Sequence, residues 1–232
     1  MKTAILSDIH ANLQALQAVL EDCEKQNAEK YWLLGDYVDY GANPIECIEL
    51  LSRLGDKIEY AIGGNHDIQF FDSLAFKCLW RGESTVTDYT GRIIEENPEA
   101  FEWLEEVAKR PLAFIFERQT ILVHGKLTDP YWGRFKPEND EDLLFKSMEL
   151  QGIKFLFCGH SHKSLILTKD NRTIINPGSV GQPRNYIPKA QYAIMEGDNV
   201  ELRQIDYDID AAVAAVRKAG LPENLCEMLY SG

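Results

Sequence analysis

The N-terminal part of the chain repeats one pattern, in which an apolar run of strand length precedes an amphipathic stretch. The runs are "TAILS", "YWLLG" and "IEYAIGG", and the stretches that follow them are "NLQALQAVLEDCEKQ", "NPIECIELLSRLG" and "DIQFFDSLAFKCLW". This order predicts βαβ units and a largely parallel sheet. Sheets of this type bind ligands at the carboxyl ends of their strands. We therefore expect functional residues directly after each apolar run.

Local signals support the helices of this pattern. Asn12 and Asn43 lie at predicted N-caps, Pro44 suits a first helical turn, and Gly55 suits a helix end. The final stretch "DAAVAAVRKAGLPENLCEMLY" is also predicted to be helical, with a break at its Gly and Pro.

Strand-like runs follow at closer spacing in the second half of the chain. They are "LAFIF", "TILVHG", "IKFLFCG", "SLILT", "TIINPG", "AQYAIM" and "VELRQID". Such spacing favours antiparallel hairpins in a second sheet, one of them turning at the Asp-Asn of "LTKDNRTII". Residues 83–110 are helical and acidic in pattern, and we interpret them as helices beside the core. We expect residues 1–232 to form a single domain.

Composition and charge exclude several classes of protein. The chain is 45% hydrophobic and 26% charged, which is typical of a soluble globular protein, and no run reaches the roughly 18 apolar residues of a membrane span. Its formal net charge of −13 repels polyanions and disfavours a stable nucleic-acid partner. The start "MKTAILSDIH" does not resemble a signal peptide, so we expect neither membrane association nor export.

The five cysteines point to a reducing compartment. They are an odd number without a CxxC pair, which favours free thiols in the cytoplasm. Cys158 lies two residues before His160, but it falls within an apolar run, and we interpret it as a small core residue.

Residue types that bind metals are concentrated at the predicted strand ends. All five histidines of the chain are in this set, whereas unrelated histidines would be spread over loops, helices and surface. The full set is Asp8, His10, Asp36, Asn65, His66, His124, His160 and His162. This confinement predicts a metal site.

The set divides into two groups of mixed nitrogen and oxygen ligands. The first metal site would use Asp8, His10, Asp36 and His162, and the second would use Asp36, Asn65, His124 and His160. A shared carboxylate such as Asp36 can hold two ions roughly 3.5 to 4 Å apart, as in two-metal displacement at phosphorus. Imidazole and carboxylate ligands suit manganese, our first choice, and also iron, zinc, cobalt or nickel.

Five ordered blocks carry a resemblance to a known family. The blocks "DIH", "GDYVDYG", "GGNHD", "VHG" and "GHSH" together resemble the calcineurin-like metallophosphoesterase superfamily, from Asp8 to about Arg184. The short chain and the block "NPGSVGQPR" look like those of small prokaryotic phosphodiesterases and diadenosine tetraphosphatases. The resemblance implies an α/β fold, a four-layer αββα sandwich of two mixed sheets, with a dimetal site at the carboxyl ends of the strands.

The resemblance also implies roles for these residues. The two ligand groups match the two metal sites of the family, and His66 matches its proton donor or transition-state stabiliser, a role that suits a side chain titrating near neutrality. A hydroxide bridging the metals would attack phosphorus, at a site whose local charge of about +1 attracts an anion despite the acidic chain.

One position departs from the protein phosphatases of the superfamily. They have arginine in GDxxDRG, where this chain has Tyr40, so protein phosphatase activity is not expected. Arg184 is the candidate replacement as a phosphate-binding side chain.

The roles of several neighbouring residues stay open at this point. Asp39 is either a partner of a metal ligand or solvated, and Asp67 either orients His66 or caps a helix. Two further pairs of residues either line a substrate pocket or pack on the core. They are the aromatic pair Tyr131 and Trp132, and Trp80 with the neighbouring Arg81.

These observations predict a metal-dependent phosphoesterase. The expected substrate is a small phosphate ester or anhydride, either a dinucleoside polyphosphate such as diadenosine tetraphosphate or a phosphodiester. A nuclease is disfavoured by the negative charge. The alternative is a non-catalytic protein-binding scaffold on the same fold, but such scaffolds tend to lose the histidine that stands here as His66.

Overall fold

Two mixed β-sheets form the centre of the molecule, which we describe from a computed structural model covering residues 1–71 and 84–232. Within these ranges, the first sheet has the order β10-β9-β1-β2-β3 and the second has the order β4-β5-β6-β8-β7. The strands are β1 Lys2–Leu6, β2 Lys30–Leu33, β3 Ile58–Ala61, β4 Leu112–Ile115, β5 Thr120–Val123, β6 Phe155–Phe157, β7 Leu165–Lys169, β8 Arg172–Asn176, β9 Ala190–Glu196 and β10 Asn199–Ile205.

Helices lie on the outer face of each sheet. They are Leu13–Lys25, Pro44–Ser52, Asn65–Ile68, Ser84–Glu95, Pro98–Ala108, Pro137–Leu150, Ile209–Lys218 and Glu223–Ser231, with 3₁₀ turns at Gly55–Lys57 and Phe116–Arg118. This layering confirms the αββα sandwich. Among the described residues, no helix combines the length and the apolar composition needed to cross a bilayer.

The parallel pairing of the first three strands is as the sequence pattern predicted, since β1 pairs with β2 and β2 with β3 in parallel. In the second sheet the expected antiparallel hairpins are β4 with β5 and β7 with β8, but β5, β6 and β8 form a parallel core that the strand spacing did not predict. The hairpin of β7 and β8 turns at Asp170 and Asn171, both with positive φ, as expected for a two-residue turn.

One assignment was wrong. The sequence analysis placed every strand of the second half in the second sheet, but β9 and β10 belong to the first. β9 runs antiparallel to β1, on the side opposite β2, and pairs Lys2 with Glu196. Four of the five residues of β1 are buried, and pairing with β9 satisfies the backbone hydrogen-bonding groups on the edge that β2 does not cover.

The buried side chains form a layer between the sheets and one on each outer face. Ile5 and Trp32 of the first sheet share the central cluster with Leu122 and Phe157 of the second. Sheet one packs outward against Leu13–Lys25, whose cap Asn12 accepts a hydrogen bond from the Ala15 backbone at 3.1 Å, as predicted. Sheet two packs against Pro137–Leu150 in a cluster that contains Cys158, which confirms its core position.

Other local predictions are confirmed in part. Pro44 opens its helix, but Asn43 at the cap position makes no capping bond and donates instead to the Glu46 carboxylate. That helix ends at Ser52, and Gly55 opens a separate 3₁₀ turn. The C-terminal helical stretch is broken, as predicted, between Lys218 and Glu223.

Two further predictions concern the middle of the chain. Residues 84–108 form two helices. Their residues Ile94 and Leu104 belong to the same buried cluster as Leu16, which lies in the helix Leu13–Lys25 on the outer face of the first sheet. This packing supports our interpretation of a single domain over residues 1–232, which stays a proposal. Trp80 and Arg81 lie outside the described residues.

Candidate metal centre

The eight predicted side chains all follow strands at one edge of the two sheets. Asp8 and His10 follow β1, Asp36 follows β2, Asn65 and His66 follow β3, His124 follows β5, and His160 and His162 follow β6. Parallel strands of adjacent sheets therefore bring these residues together at their carboxyl ends, as the sequence predicts.

Their donor atoms form two groups that meet at Asp36. The first cluster consists of Asp8, His10, Asp36 and His162, all buried, with one donor atom from each lying within 4.8 Å of the others. Asp36, His124 and His160 form a second group by the same measure. Asn65 completes this second cluster, because its Oδ1 lies 3.1 Å from His124 Nε2 and 2.8 Å from His160 Nδ1.

The backbone at these positions adopts an uncommon conformation. Five of the cluster residues have left-handed φ values, which are 54° at Asp8, 47° at His10, 55° at Asp36, 62° at His160 and 58° at His162. Each such residue costs about 1 to 3 kcal/mol and is typical of functional sites. The loops are held by backbone bonds of 3.0 Å from Asp8 to Gly35 and from His10 to Asp36.

Two glycines allow the loops to approach closely enough. A Cβ at position 64 would lie 2.1 Å from Asp36 Oδ1, and one at position 159 would lie 2.1 Å from Ser7 Oγ. Any other residue at Gly64 or Gly159 would push the loops that carry the carboxylates apart.

Backbone carbonyls fix the orientation of three histidine rings. Nδ1 lies 3.0 Å from the Val38 carbonyl in His10, 2.8 Å from the Leu34 carbonyl in His124 and 2.5 Å from the Gln182 carbonyl in His162. A carbonyl only accepts, so each Nδ1 donates a proton and each Nε2 faces the centre of the site. This is how metal-binding histidines are usually held.

Charge and burial make the first cluster suitable for a cation. Burial lowers the pKa of His10 and of His162 below its ordinary value, so both rings are neutral near pH 7, yet their Nε2 atoms face each other at 3.1 Å. Asp8 Oδ1 is buried without a hydrogen-bond partner and faces His162 Nε2, another acceptor, at 3.2 Å. Unpaired lone pairs in a buried site fit a divalent cation.

The second cluster holds a proton where a cation would bind. Burial lowers the pKa of His160 to about 3. Burial acts in the same direction on His124, but the Asp36 carboxylate 3.1 Å from its Nε2 outweighs burial and raises the pKa of His124 to about 9. A divalent ion on Asp36, His124 and His160 would displace that proton.

His66 lies beside both clusters and belongs to neither. Its Nδ1 donates to Asp39 Oδ2 at 2.9 Å, and its ring centroid lies 5.0 Å from that of His10. Burial lowers the pKa of His66, but the charges of Asp36 and Asp39 outweigh it and raise the pKa to about 9. Asp39 is buried and also accepts from Gln69 at 2.5 Å, so it is not solvated, and its histidine partner is His66 rather than a member of either cluster.

The sequence of this site matches a known family. The calcineurin-like phosphoesterase superfamily domain matches residues 1–199. The chain belongs to the calcineurin-like phosphoesterase superfamily.

Three other proteins are similar to this chain in sequence or structure. The chain is 33% identical to an uncharacterized protein of Methanocaldococcus jannaschii, over 99% of this chain and 97% of that protein. A metallophosphoesterase from Sphaerobacter thermophilus superposes with a TM-score of 0.80 at 30% identity, covering 100% of this chain and 99% of the other. A symmetrical bis(5'-nucleosyl)-tetraphosphatase of Erwinia tasmaniensis is 26% identical over 57% of this chain, and the match spans 46% of that enzyme.

Asp67 holds two loops of the phosphoesterase site together. Its carboxylate accepts from the backbone of Asp36 at 2.7 Å, Tyr37 at 2.9 Å and Gly64 at 2.8 Å. The bond to Gly64 caps the helix Asn65–Ile68, so the capping interpretation is confirmed.

Arg184 lies close to the first cluster. Its backbone nitrogen donates to the His162 carbonyl at 3.1 Å, and its Nη2 donates to Gln182 Oε1 at 2.6 Å. The guanidinium carbon lies 5.7 Å from the centre of the Tyr40 ring.

Two residues near the site have no signal in the sequence. Gln182 orients His162 through its backbone carbonyl, and a backbone contact has no characteristic residue type. Arg134 is exposed and lies near enough to His160 to lower the pKa of that histidine, but the motif "WGRF" around Arg134 does not indicate proximity to the site. The Tyr131 hydroxyl donates to the Ala108 carbonyl at 2.7 Å, which favours the packing interpretation for Tyr131, and Trp132 is half-buried.

Proposed function

We propose that this protein hydrolyses phosphodiester or phosphoanhydride bonds of a small nucleotide-like substrate with two divalent ions, manganese first among the candidates. The supporting observation is the meeting of two clusters at Asp36, where Asp8 Oδ1 is buried and unpaired and Asp36 Oδ2 lies 3.1 Å from His124 Nε2. Buried carboxylate oxygens without partners cost free energy unless a cation binds them.

The chain supplies a complete set of ligands for two ions. In this proposal Asp8, His10, Asp36 and His162 hold the first, and Asp36, Asn65, His124 and His160 hold the second. When bound, such ions lower the pKa of water and neutralise charge on a phosphoryl group.

His66 is the proposed proton donor to the leaving oxygen. Asp39 holds Nδ1, so the ring's Nε2 is the nitrogen that remains for a substrate. Asp39, which holds neither ion in this proposal, favours the protonated ring, the form in which it also stabilises negative charge on phosphorus.

Arg184 is the proposed phosphate-binding side chain. Its Nε is buried without a hydrogen-bond partner, and a phosphate oxygen is an acceptor that would satisfy it. Because the chain carries a net charge of −13, a local cation such as Arg184 would help to attract an anionic substrate.

Two classes of substrate are compatible with this chemistry. The tetraphosphatase of Erwinia tasmaniensis shares about half of its length with this chain, which makes a dinucleoside polyphosphate a reasonable candidate. A phosphodiester is the other. Cys23, Cys47, Cys158 and Cys226 are buried free thiols, consistent with the proposed cytoplasmic location.

The test is hydrolysis by metal-stripped protein after manganese is added back. Bis-p-nitrophenyl phosphate and diadenosine tetraphosphate would be compared, with Asp36→Asn and His66→Ala as site variants and Asp56→Asn, an exposed aspartate, as the matched control. We expect metal-dependent turnover that Asp36→Asn abolishes, His66→Ala reduces and Asp56→Asn leaves unchanged.

The contrary result is equally specific. Absence of turnover of both substrates with Mn, Fe, Zn, Co or Ni, in protein shown to contain metal, would overturn the proposal. It would favour the protein-binding scaffold instead.

A further inference from the structure

One aromatic ring contacts three members of the proposed site. The Tyr40 ring centroid lies 4.6 Å from that of His10 and 4.8 Å from that of His66. The Arg184 guanidinium lies over the same ring at 5.7 Å. Tyr40 therefore connects a proposed metal ligand, the proposed proton donor and the proposed phosphate-binding side chain.

The position of this ring is fixed from behind. Tyr40 packs against the apolar cluster of the two C-terminal helices, which includes Val216, Leu225 and Leu229. Its backbone is left-handed, with φ of 62°, and the next residue, Gly41, donates to the His10 carbonyl at 3.0 Å. A ring held by both its backbone and a buried cluster can serve as a rigid support.

Arg184 is held from two sides. Gln182 accepts from its Nη2 at 2.6 Å, and the Tyr40 ring lies against the guanidinium, while Nε is left without a partner. An arginine side chain in solution samples many rotamers, and their restriction before a ligand arrives lowers the cost of binding. Stacking on an aromatic face is one of the contacts for which the planar guanidinium is suited.

The charges around the ring agree with this arrangement. Tyr40 brings no charge of its own, so the guanidinium keeps its positive charge for the ligand, whereas an aspartate or glutamate at the same distance would pair with it. The ring thus orients the cation without neutralising it.

We propose that Tyr40 is a positioning residue that holds Arg184 in place for a phosphate group of the substrate. This inference rests on the proposed function, because it concerns the same site. It adds that the aromatic ring at position 40, and not only the arginine, determines affinity for phosphate.

The test is a double-mutant cycle on binding of inorganic phosphate to manganese-loaded protein, measured by calorimetry. The variants are Tyr40→Leu, Tyr40→Phe, Arg184→Ala and the double variant Tyr40→Leu/Arg184→Ala. We expect Tyr40→Leu to weaken phosphate binding about tenfold, Tyr40→Phe to change it less than about twofold, and Tyr40→Leu to add nothing once Arg184 is alanine. Bound manganese and the melting temperature are measured for each variant, and Tyr40→Met replaces Tyr40→Leu if the latter does not fold.

Three results would overturn the inference. They are an equal loss from Tyr40→Leu in both arginine backgrounds, a loss in Tyr40→Phe as large as in Tyr40→Leu, and absence of phosphate binding by the unsubstituted protein. Failure of the proposed function looks different, because it would leave phosphate binding and its coupling intact while neither substrate is hydrolysed.

Discussion

The two clusters of the phosphoesterase site share Asp36 but differ in how they are enclosed. Every member of the first cluster is buried, and the rings of His10 and His162 are each fixed by a backbone carbonyl. In the second, His160 is half-buried, and its inward-facing Nδ1 meets the side-chain amide of Asn65. Backbone carbonyls thus fix both histidine rings of the first cluster, whereas in the second a backbone carbonyl fixes His124 and a side chain holds His160.

This difference has consequences for metal binding. Ligands that are held in place before the ion arrives lose less entropy when it binds. A half-buried ligand also gives water and chelators access to the ion. We expect the first cluster to bind its ion more tightly and to release it more slowly than the second.

The largest effect should come from Asp36, the residue on which both clusters depend. Asp36→Asn removes the shared charge and should lower turnover by at least about a thousandfold, since metal stabilisation of the transition state is worth several kcal/mol. Elemental analysis should show loss of both ions, while Asp56→Asn should retain both. Full retention of one ion would mean that the clusters do not share this carboxylate.

His10 and His160 separate the two clusters. His160→Ala should weaken binding of the second ion by about a hundredfold and leave the first tightly bound. His10→Ala should weaken the first, and it should also lower the melting temperature because the Val38 carbonyl loses its partner. Metal titration by calorimetry measures both affinities, and identical profiles for the two variants would contradict the distinction.

Chelation should reveal the same order. With metal at ten times its Kd, each ion adds about 1.4 kcal/mol to the free energy of unfolding, or roughly 3 to 6 °C in Tm for a chain of this size. Increasing EDTA should lower Tm in two steps, with the second-cluster ion leaving first. A single step in the wild type, or no change on complete removal of metal, would count against our comparison.

Ser7 offers the smallest and most local test. Its hydroxyl donates to Asp8 Oδ2 at 2.6 Å, so Ser7→Ala removes one buried hydrogen bond from a ligand of the first cluster only. One such bond is worth about 1 kcal/mol, so affinity for the first ion should fall about fivefold. Ser52→Ala, at an exposed helix end, is the matched control, and an equal loss at the second ion would show that the clusters respond as one.

The sequence predicted which side chains lie together, because their positions follow from the ends of strands. Asp8, Asp36 and His124 each lie within three residues of the end of an apolar strand. Parallel strands place such residues at one edge of the sheet, independently of the rest of the fold. Pairing of β9 with β1 was not predictable in this way, because an apolar strand such as "AQYAIM" fits either sheet and only tertiary packing decides.

The supporting interactions were also beyond the sequence. Asp39 and Asp67 are both aspartates near ligands, yet one pairs with a histidine side chain and the other with three backbone nitrogens. The distinction depends on loop conformation, which residue type does not determine. The contact between Tyr40 and Arg184 joins two loops distant in the chain, and no local pattern signals it.

The left-handed backbone at His10 and Asp36 means that a substitution which stabilises the fold there would reduce activity. Glycine adopts positive φ without penalty, so a glycine at either position would relieve strain and also remove a buried polar side chain. The same change would delete a proposed metal ligand. A laboratory selection for heat resistance alone would therefore enrich variants with damaged sites. A screen for more thermostable variants of this protein has to measure substrate turnover from the first round.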